Sequence, residues 1–106
     1  MSSSPDLISG KLIVHVRMKA KPGRADELVN ALLKVKASVE SDAEPGGISF
    51  RLARFEEEIL IFEEYESAAA LGPHSSTEVF NELQKIGAEC RDGDPLVLFY
   101  SEEVSA

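Results

Sequence analysis

The chain has 106 residues, of which 11 are basic and 19 acidic, so its formal net charge at neutral pH is −8. This length allows one domain with a core, and such acidity argues against a surface for nucleic acid or anionic membranes. No apolar run reaches membrane-spanning length, and the first residues lack the features of a signal peptide. A single cysteine, Cys90, excludes an internal disulfide. We therefore expect a cytoplasmic protein, with Cys90 as a small core residue.

The first half of the chain is predicted from its hydrophobic periodicity. Residues 1–10 are Ser-rich and polar, and we expect them to form a flexible arm. Residues 11–20 alternate between apolar and polar side chains, which is typical of a strand. From Arg24 to about Asp42 the apolar residues recur at helical spacing, and the run 44–47 (EPGG) ends this amphipathic helix.

The second half predicts a hairpin, a helix and a last strand. Gly72-Pro73 is expected to be unable to continue a helix and to reset the chain before the final helix begins. The predicted segments are strands at 48–55 and 58–64 joined by a turn at 56–57, a helix from 76 to about 89, a strand at 96–101 and a polar tail at 102–106.

The predicted order is β-α-β-β-α-β, an α+β ferredoxin-like domain over residues 11–101 with one antiparallel sheet. Two helices can cover only one face of such a sheet. We expect His15 and Arg17 on a mixed face that either meets solvent or lines a partly polar interface, where they would pair with acids across it. An exposed apolar sheet face is a liability, so we predict a two-fold homodimer packed sheet against sheet. The apolar residues expected on that face are Leu60, Phe62, Val97 and Phe99.

Several short motifs together resemble the antibiotic biosynthesis monooxygenase family, over roughly Lys11 to Tyr100. The resemblance implies a dimeric α+β barrel with one pocket per subunit, between helices and sheet. Activities in the family include cofactor-free oxygenation of aromatic polyketides or quinols, haem degradation and isomerisation of a small signalling sugar derivative. The matching segments are KAKPG at 19–23, EPGGISF at 44–50, IFEEYES at 61–67, Ala70-Leu71, His74 and Val79-Phe80.

Three departures from the family pattern narrow the expected activity. The family often has Trp where Tyr65 stands, and a second His is common where Val79 stands. Haem-degrading members use an Asn in the first strand, and the first strand here has none. Haem degradation is therefore disfavoured.

His74 is the leading candidate for a catalytic residue. Imidazole titrates near neutral pH and can take a proton from a phenol or hydroquinone, which gives an anion that dioxygen can attack without a metal. Alternatively, His74 braces the start of the following helix. Glu63 is the candidate partner that orients His74 or binds a substrate hydroxyl, although a salt bridge to Arg54 or Arg17 would also account for it.

Four more residues are candidate substrate contacts. Arg54 and Tyr65 are the polar candidates, to contact a substrate or bound oxygen. Phe50 and Phe80 would line an aromatic pocket, or would simply belong to the core. No phosphate-binding loop, dinucleotide fingerprint or metal-spaced His/Cys cluster is present, so we expect neither a cofactor nor a metal.

The resulting hypothesis is a cofactor-independent monooxygenase that uses dioxygen on a small aromatic phenol or quinol. Two alternatives remain at this point. A non-catalytic or stress-associated small-molecule-binding dimer would have a pocket filled by bulky side chains. An isomerase or lyase would use the same His and Glu for proton transfer and would not need oxygen.

Overall fold

The structure, a computed structural model, describes residues 4–103. Four strands form one antiparallel sheet in the order β2-β3-β1-β4, and the helices lie on one face of it. This confirms the predicted α+β, ferredoxin-like fold. The strands are β1 (Leu12–Lys19), β2 (Gly47–Phe55), β3 (Glu58–Tyr65) and β4 (Leu96–Ser101); the helices are α1 (Ala25–Val39), α2 (Leu71–Ser75) and α3 (Glu78–Cys90).

The core lies between the sheet and the two long helices. Both helices are amphipathic, and α1 buries its apolar stripe in the core beside α3 and β2, because hydrophobic residues recur at helical spacing along it. Cys90, the last residue of α3, is fully buried in this core, as expected. Within residues 4–103, the helices are too short or too polar to cross a membrane.

The register of β4 corrects one prediction about the faces of the sheet. Val97 pairs with Val16, and Phe99 pairs with Val14, so both lie on the helix-covered face. Leu96, Leu98 and Tyr100 take the opposite face instead. The strand is apolar on both sides, so its sequence alone does not decide which residues point to the helices.

The uncovered face of the sheet retains large apolar side chains. Leu60 is 41% exposed and Phe62 is 38% exposed. On β4, Leu96 and Tyr100 are also exposed, at the far edge of the same face. We call these four residues the open face.

The second correction concerns Gly72-Pro73, which lies inside α2 rather than ending helical structure. Proline fits the first turn of a helix because the N–H groups there have no helical acceptor in any case. The predicted α1 is also three residues too long, since the helix ends at Val39. The final helix begins at Glu78, where the Thr77 hydroxyl caps it by accepting a hydrogen bond from Phe80 N–H at 3.2 Å.

The predicted arm and tail extend beyond the described residues, which exclude 1–3 and 104–106. Within the described part of the arm, Pro5–Leu7 forms one 3-10 turn and Ile8 packs against the core. The flexibility of the arm stays a prediction.

Candidate functional site

Three ionisable side chains are buried together in the core. Glu44 is 3% exposed, Glu63 is 6% exposed and His74 is 4% exposed. They come from three separate parts of the chain: the α1–β2 connection, strand β3 and helix α2. Burying charged groups is costly unless they are paired, so the contacts among these three decide what the site can do.

Glu44 fixes the orientation of His74. The Glu44 Oε1 atom lies 2.7 Å from His74 Nδ1, and the other carboxylate oxygen accepts a hydrogen bond from the Ser38 hydroxyl. An ionised carboxylate can only accept hydrogen bonds, so the hydrogen of the ring is placed on Nδ1. In the neutral ring, the second nitrogen, Nε2, is then the atom that can accept a proton.

Glu63 lies on the other side of the imidazole. Its Oε1 atom is 3.8 Å from His74 Nε2, beyond hydrogen-bonding distance, and it accepts a hydrogen bond of 2.5 Å from the Tyr65 hydroxyl. Burial raises the pKa of Glu63, against the opposing effects of the Tyr65 hydrogen bond and the nearby His74. Burial, with the Glu63 carboxyl nearby, also raises the pKa of Tyr65, which therefore stays a neutral donor.

A cavity of about 210 Å³ opens beside His74, between the helices and the sheet. Its wall is mostly apolar, and Phe80 meets the His74 ring edge-on with the ring centres 5.1 Å apart. The polar side chains on the wall are those of Glu63, His74, Ser75, Gln84 and Arg91. Within residues 4–103, no three His, Cys, Asp or Glu side chains are placed to hold a metal ion.

The structure brings together four of the predicted site residues. His74, Glu63, Phe50 and Phe80 all line the cavity. Tyr65 is fully buried behind Glu63 and reaches the cavity only through that carboxyl group. The predicted cluster around His74 is therefore one contiguous site in space.

Arg54 lies apart from this cluster. Its guanidinium binds Asp26 at 2.5 Å, near the start of α1, and the Glu56 carbonyl at 2.7 Å. It lines a wider and more open groove of about 560 Å³ that contains no histidine. The geometry gives no support to Arg54 as a substrate contact beside His74.

Glu44 and Arg91 are the site residues that the sequence analysis missed. Glu44 was interpreted as part of the EPGG segment that follows the first helix and of the family-like segment at 44–50, but not as a partner of His74. Arg91 was assigned to a loop, yet its side chain turns back along α3 to the cavity. No local pattern in the sequence points to either contact.

Because Glu63 is buried, its contribution to the stability of the fold should fall as the pH rises. Because its pKa is raised, the folded protein keeps this proton where the unfolded chain has lost it. This contribution is largest below the unfolded-state pKa and is lost as the pH rises through the folded-state pKa. Glu63→Gln cannot ionise and can still accept from Tyr65. We expect the variant to gain stability over wild type as the pH rises above the usual pKa of a glutamate carboxyl, measured by urea unfolding.

Glu64→Gln is the matched control for this prediction. Glu64 is the next residue on β3, and Lys11 and Ser49 hydrogen bonds lower its pKa. Removing that carboxylate is expected to change stability in the opposite direction over the same pH range. Identical pH profiles for Glu63→Gln and wild type would contradict the assignment of Glu63 as a buried acid.

The sequence model of the antibiotic biosynthesis monooxygenase family matches residues 11–86. The chain belongs to the antibiotic biosynthesis monooxygenase family. The match covers β1 to α3 and so includes Glu44, Glu63 and His74. Family membership supports a general monooxygenase-like role for this protein.

Solved structures share the fold of this family member over almost their whole length. A Caulobacter crescentus protein that carries the family's name is 26% identical, with a TM-score of 0.80 over 90% of this chain and 92% of that one. A Mycobacterium tuberculosis protein, 21% identical, has a TM-score of 0.80 over 91% and 98% of the two chains. A Pseudomonas aeruginosa protein is 21% identical, with a TM-score of 0.80 over 91% of this chain and 97% of that one. Comparison with curated proteins gives no match.

Proposed function

We propose that this family member is a cofactor-independent monooxygenase that oxidises a small aromatic phenol or quinol with dioxygen. The observation that carries the proposal is the Glu44–His74 pair, whose Nδ1 is held at 2.7 Å while the ring lines a mostly apolar cavity. A histidine oriented by a carboxylate on one nitrogen presents the other as a general base.

The proposed reaction begins with proton transfer from the substrate hydroxyl to His74 Nε2. Glu44 stabilises the imidazolium that forms, because its carboxylate already accepts from Nδ1. The phenolate then passes one electron to dioxygen, and the two radicals combine into a peroxide on a ring carbon. The peroxide takes a proton from His74 and the ring carbon loses its hydrogen. The O–O bond breaks, and the products are a quinone and one water, so no outside reductant is needed.

The size and lining of the cavity favour a small aromatic substrate. Its volume of about 210 Å³ lies below the roughly 300–1,000 Å³ typical of sites for drug-sized ligands. Phe50 and Phe80 offer ring faces and edges against which another ring can pack. An apolar wall also limits the water that would otherwise compete for the phenolate and the base.

We further propose that the protein works as a cytoplasmic homodimer joined through the open face. The apolar side chains of Leu60, Phe62, Leu96 and Tyr100 form a surface that a second copy would cover. The dimer would leave the helix-side cavity of each subunit accessible. The unpaired Cys90 suits a reducing compartment.

Oxygen uptake tests the proposed function. Purified protein is mixed with a panel of hydroquinones and anthrone-like phenols, without added metal or cofactor, and oxygen consumption is measured with an electrode. We expect uptake by wild type and a loss of at least about 100-fold in His74→Ala, because a positioned general base typically contributes 10²–10⁴-fold. Equal rates in wild type and His74→Ala would overturn the role of His74.

An isomerase is the second candidate, favoured by the two acid–base groups on one cavity wall. His74 Nε2 and Glu63 Oε1 are 3.8 Å apart, so one group could remove a proton from a substrate carbon and the other return it nearby. Substrate conversion without oxygen consumption would select this alternative. A purely binding role would suit a cavity without polar groups, whereas His74, Glu63 and Arg91 all line this one.

A further inference from the structure

Arg91 carries a buried polar atom with no partner. Its Nε atom has almost no solvent exposure and makes no hydrogen bond. Within residues 4–103 no carboxylate lies within ion-pair distance of its guanidinium, whereas Arg24 and Arg54 each pair with an acid. The chain has 19 acidic and 11 basic residues, so an arginine that is partly buried and has no acid beside it is unexpected. The guanidinium also lines the cavity beside His74, so an anionic ligand there would supply the charge partner that the described chain does not.

The backbone holds Arg91 firmly in place at the end of α3. Its N–H donates to the Gly87 carbonyl at 2.8 Å, and the residue forms an isolated bridge with Ala20. On either side of it, Lys21 N–H donates to Cys90 at 2.7 Å and Asp92 N–H donates to Lys19 at 2.8 Å. The backbone from which the guanidinium projects is therefore ordered, which reduces the entropy lost when a ligand binds.

The guanidinium packs over Gly87 and faces the same cavity as His74. A Cβ atom on Gly87 would lie 3.1 Å from Arg91 Nη1 and 3.2 Å from Cζ, so the missing side chain makes room for the guanidinium. Phe80, which contacts His74, and Gly87 are seven residues apart on α3, about 10 Å along the helix axis. The cavity is thus lined by both the base His74 and the cation of Arg91.

We propose that the substrate is a phenol with a carboxylate at the opposite end of its single ring, and that Arg91 binds this carboxylate. The planar guanidinium can donate two parallel hydrogen bonds to a carboxylate, through the two Nη groups at its end. A ring with para hydroxyl and carboxylate groups, plus a hydrogen bond at each end, spans a distance of the order set by Phe80 and Gly87. The inference rests on the proposed function for the chemistry at His74, but carboxylate binding needs no turnover.

The test compares the binding of 4-hydroxybenzoate and its neutral methyl ester by calorimetry under anaerobic conditions. Wild type is expected to bind the acid about 10- to 100-fold more tightly than the ester, as charge-assisted hydrogen bonds allow. In Arg91→Gln this preference should disappear. Lys85→Gln is the matched control, since it removes one positive charge from an exposed position on the same helix and should keep the preference.

Gly87→Ala provides a second variant in case Arg91→Gln folds poorly. The added Cβ displaces the guanidinium, while alanine favours the helix, so the acid should bind more weakly without loss of thermal stability. Equal affinity for acid and ester in wild type, or no binding of either, would overturn the carboxylate site. Arg91-dependent binding without oxygen uptake would keep this site and reject the oxygenase. Oxygen uptake with neutral phenols, without tighter binding of the acid than of the ester, would support the oxygenase and reject the carboxylate site.

Discussion

Glu44→Gln is expected to lower kcat for oxygen-dependent turnover about 100- to 10,000-fold. The amide cannot stabilise the imidazolium that forms when His74 takes the substrate proton, and it can also donate to Nδ1 and impose the wrong tautomer on the ring. Glu44 is behind His74 and does not line the cavity, so KM should change little. Steady-state oxygen uptake at several substrate concentrations separates the two parameters.

The same residue is expected to matter for stability. Glu44→Ala removes the acceptor of hydrogen bonds from Ser38 and His74, and leaving the buried ring N–H unsatisfied costs about 1–3 kcal/mol. Asp42→Asn is the control, because Asp42 is exposed in the same connection. This substitution should leave kcat unchanged and the free energy of unfolding within about 0.5 kcal/mol of wild type. A Glu44→Gln enzyme with wild-type kcat would show that His74 does not depend on this carboxylate.

Gly47→Ala is expected to lower the free energy of unfolding by about 1–3 kcal/mol, through overpacking alone. An added Cβ would collide with the Val39 carbonyl oxygen and lie 2.9 Å from Val39 Cγ1, and neither can move without displacing the end of α1. Gly47 also donates a hydrogen bond of 2.9 Å to the Glu44 carbonyl. We therefore expect a parallel fall in kcat, as the shift of this connection carries Glu44 away from His74.

Gly72→Ala is the matched substitution for Gly47→Ala. Apart from its two chain neighbours, a Cβ on Gly72 would meet nothing within 4 Å. Alanine is the better helix former in α2, whereas Pro73 disfavours the helical region for a preceding residue that has a Cβ. Because these two effects oppose each other, urea unfolding should show a stability close to that of wild type. If Gly47→Ala were as stable as Gly72→Ala, the close approach of Gly47 to Val39 would not constrain the connection.

The order of the elements could be predicted because each segment has one dominant period. The alternation in β1 and β2 and the helical spacing in α1 are local properties, readable without any partner. The prediction of which β4 residues face the helices was wrong because residues 96–100 are all apolar. Either alternating set of side chains could therefore be buried against the helices. Gly72-Pro73 was misassigned because a proline in a first helical turn resembles a helix breaker.

The site was predictable only in part, because its contacts join distant segments. His74 was found as one of two histidines, and Glu63 by its position within an apolar strand. The pairing of His74 with Glu44 joins residues thirty positions apart, and no periodicity encodes such a contact. Arg91 escaped notice because only the three-dimensional structure shows that its guanidinium lacks an acid.

Glu44, Glu63, Tyr65 and His74 form a buried polar group, which the half-buried Ser38 joins through its hydrogen bond to Glu44. Replacing a buried ionic cluster by apolar residues of similar shape is often neutral or stabilising by about 1–4 kcal/mol. A fully apolar core of the same shape would therefore give this fold an equal or greater free energy of unfolding. A domain that retains these groups is less stable than it could be, but it keeps the side chains that the proposed reaction needs. Variants that replace these groups should therefore gain thermal stability and lose activity.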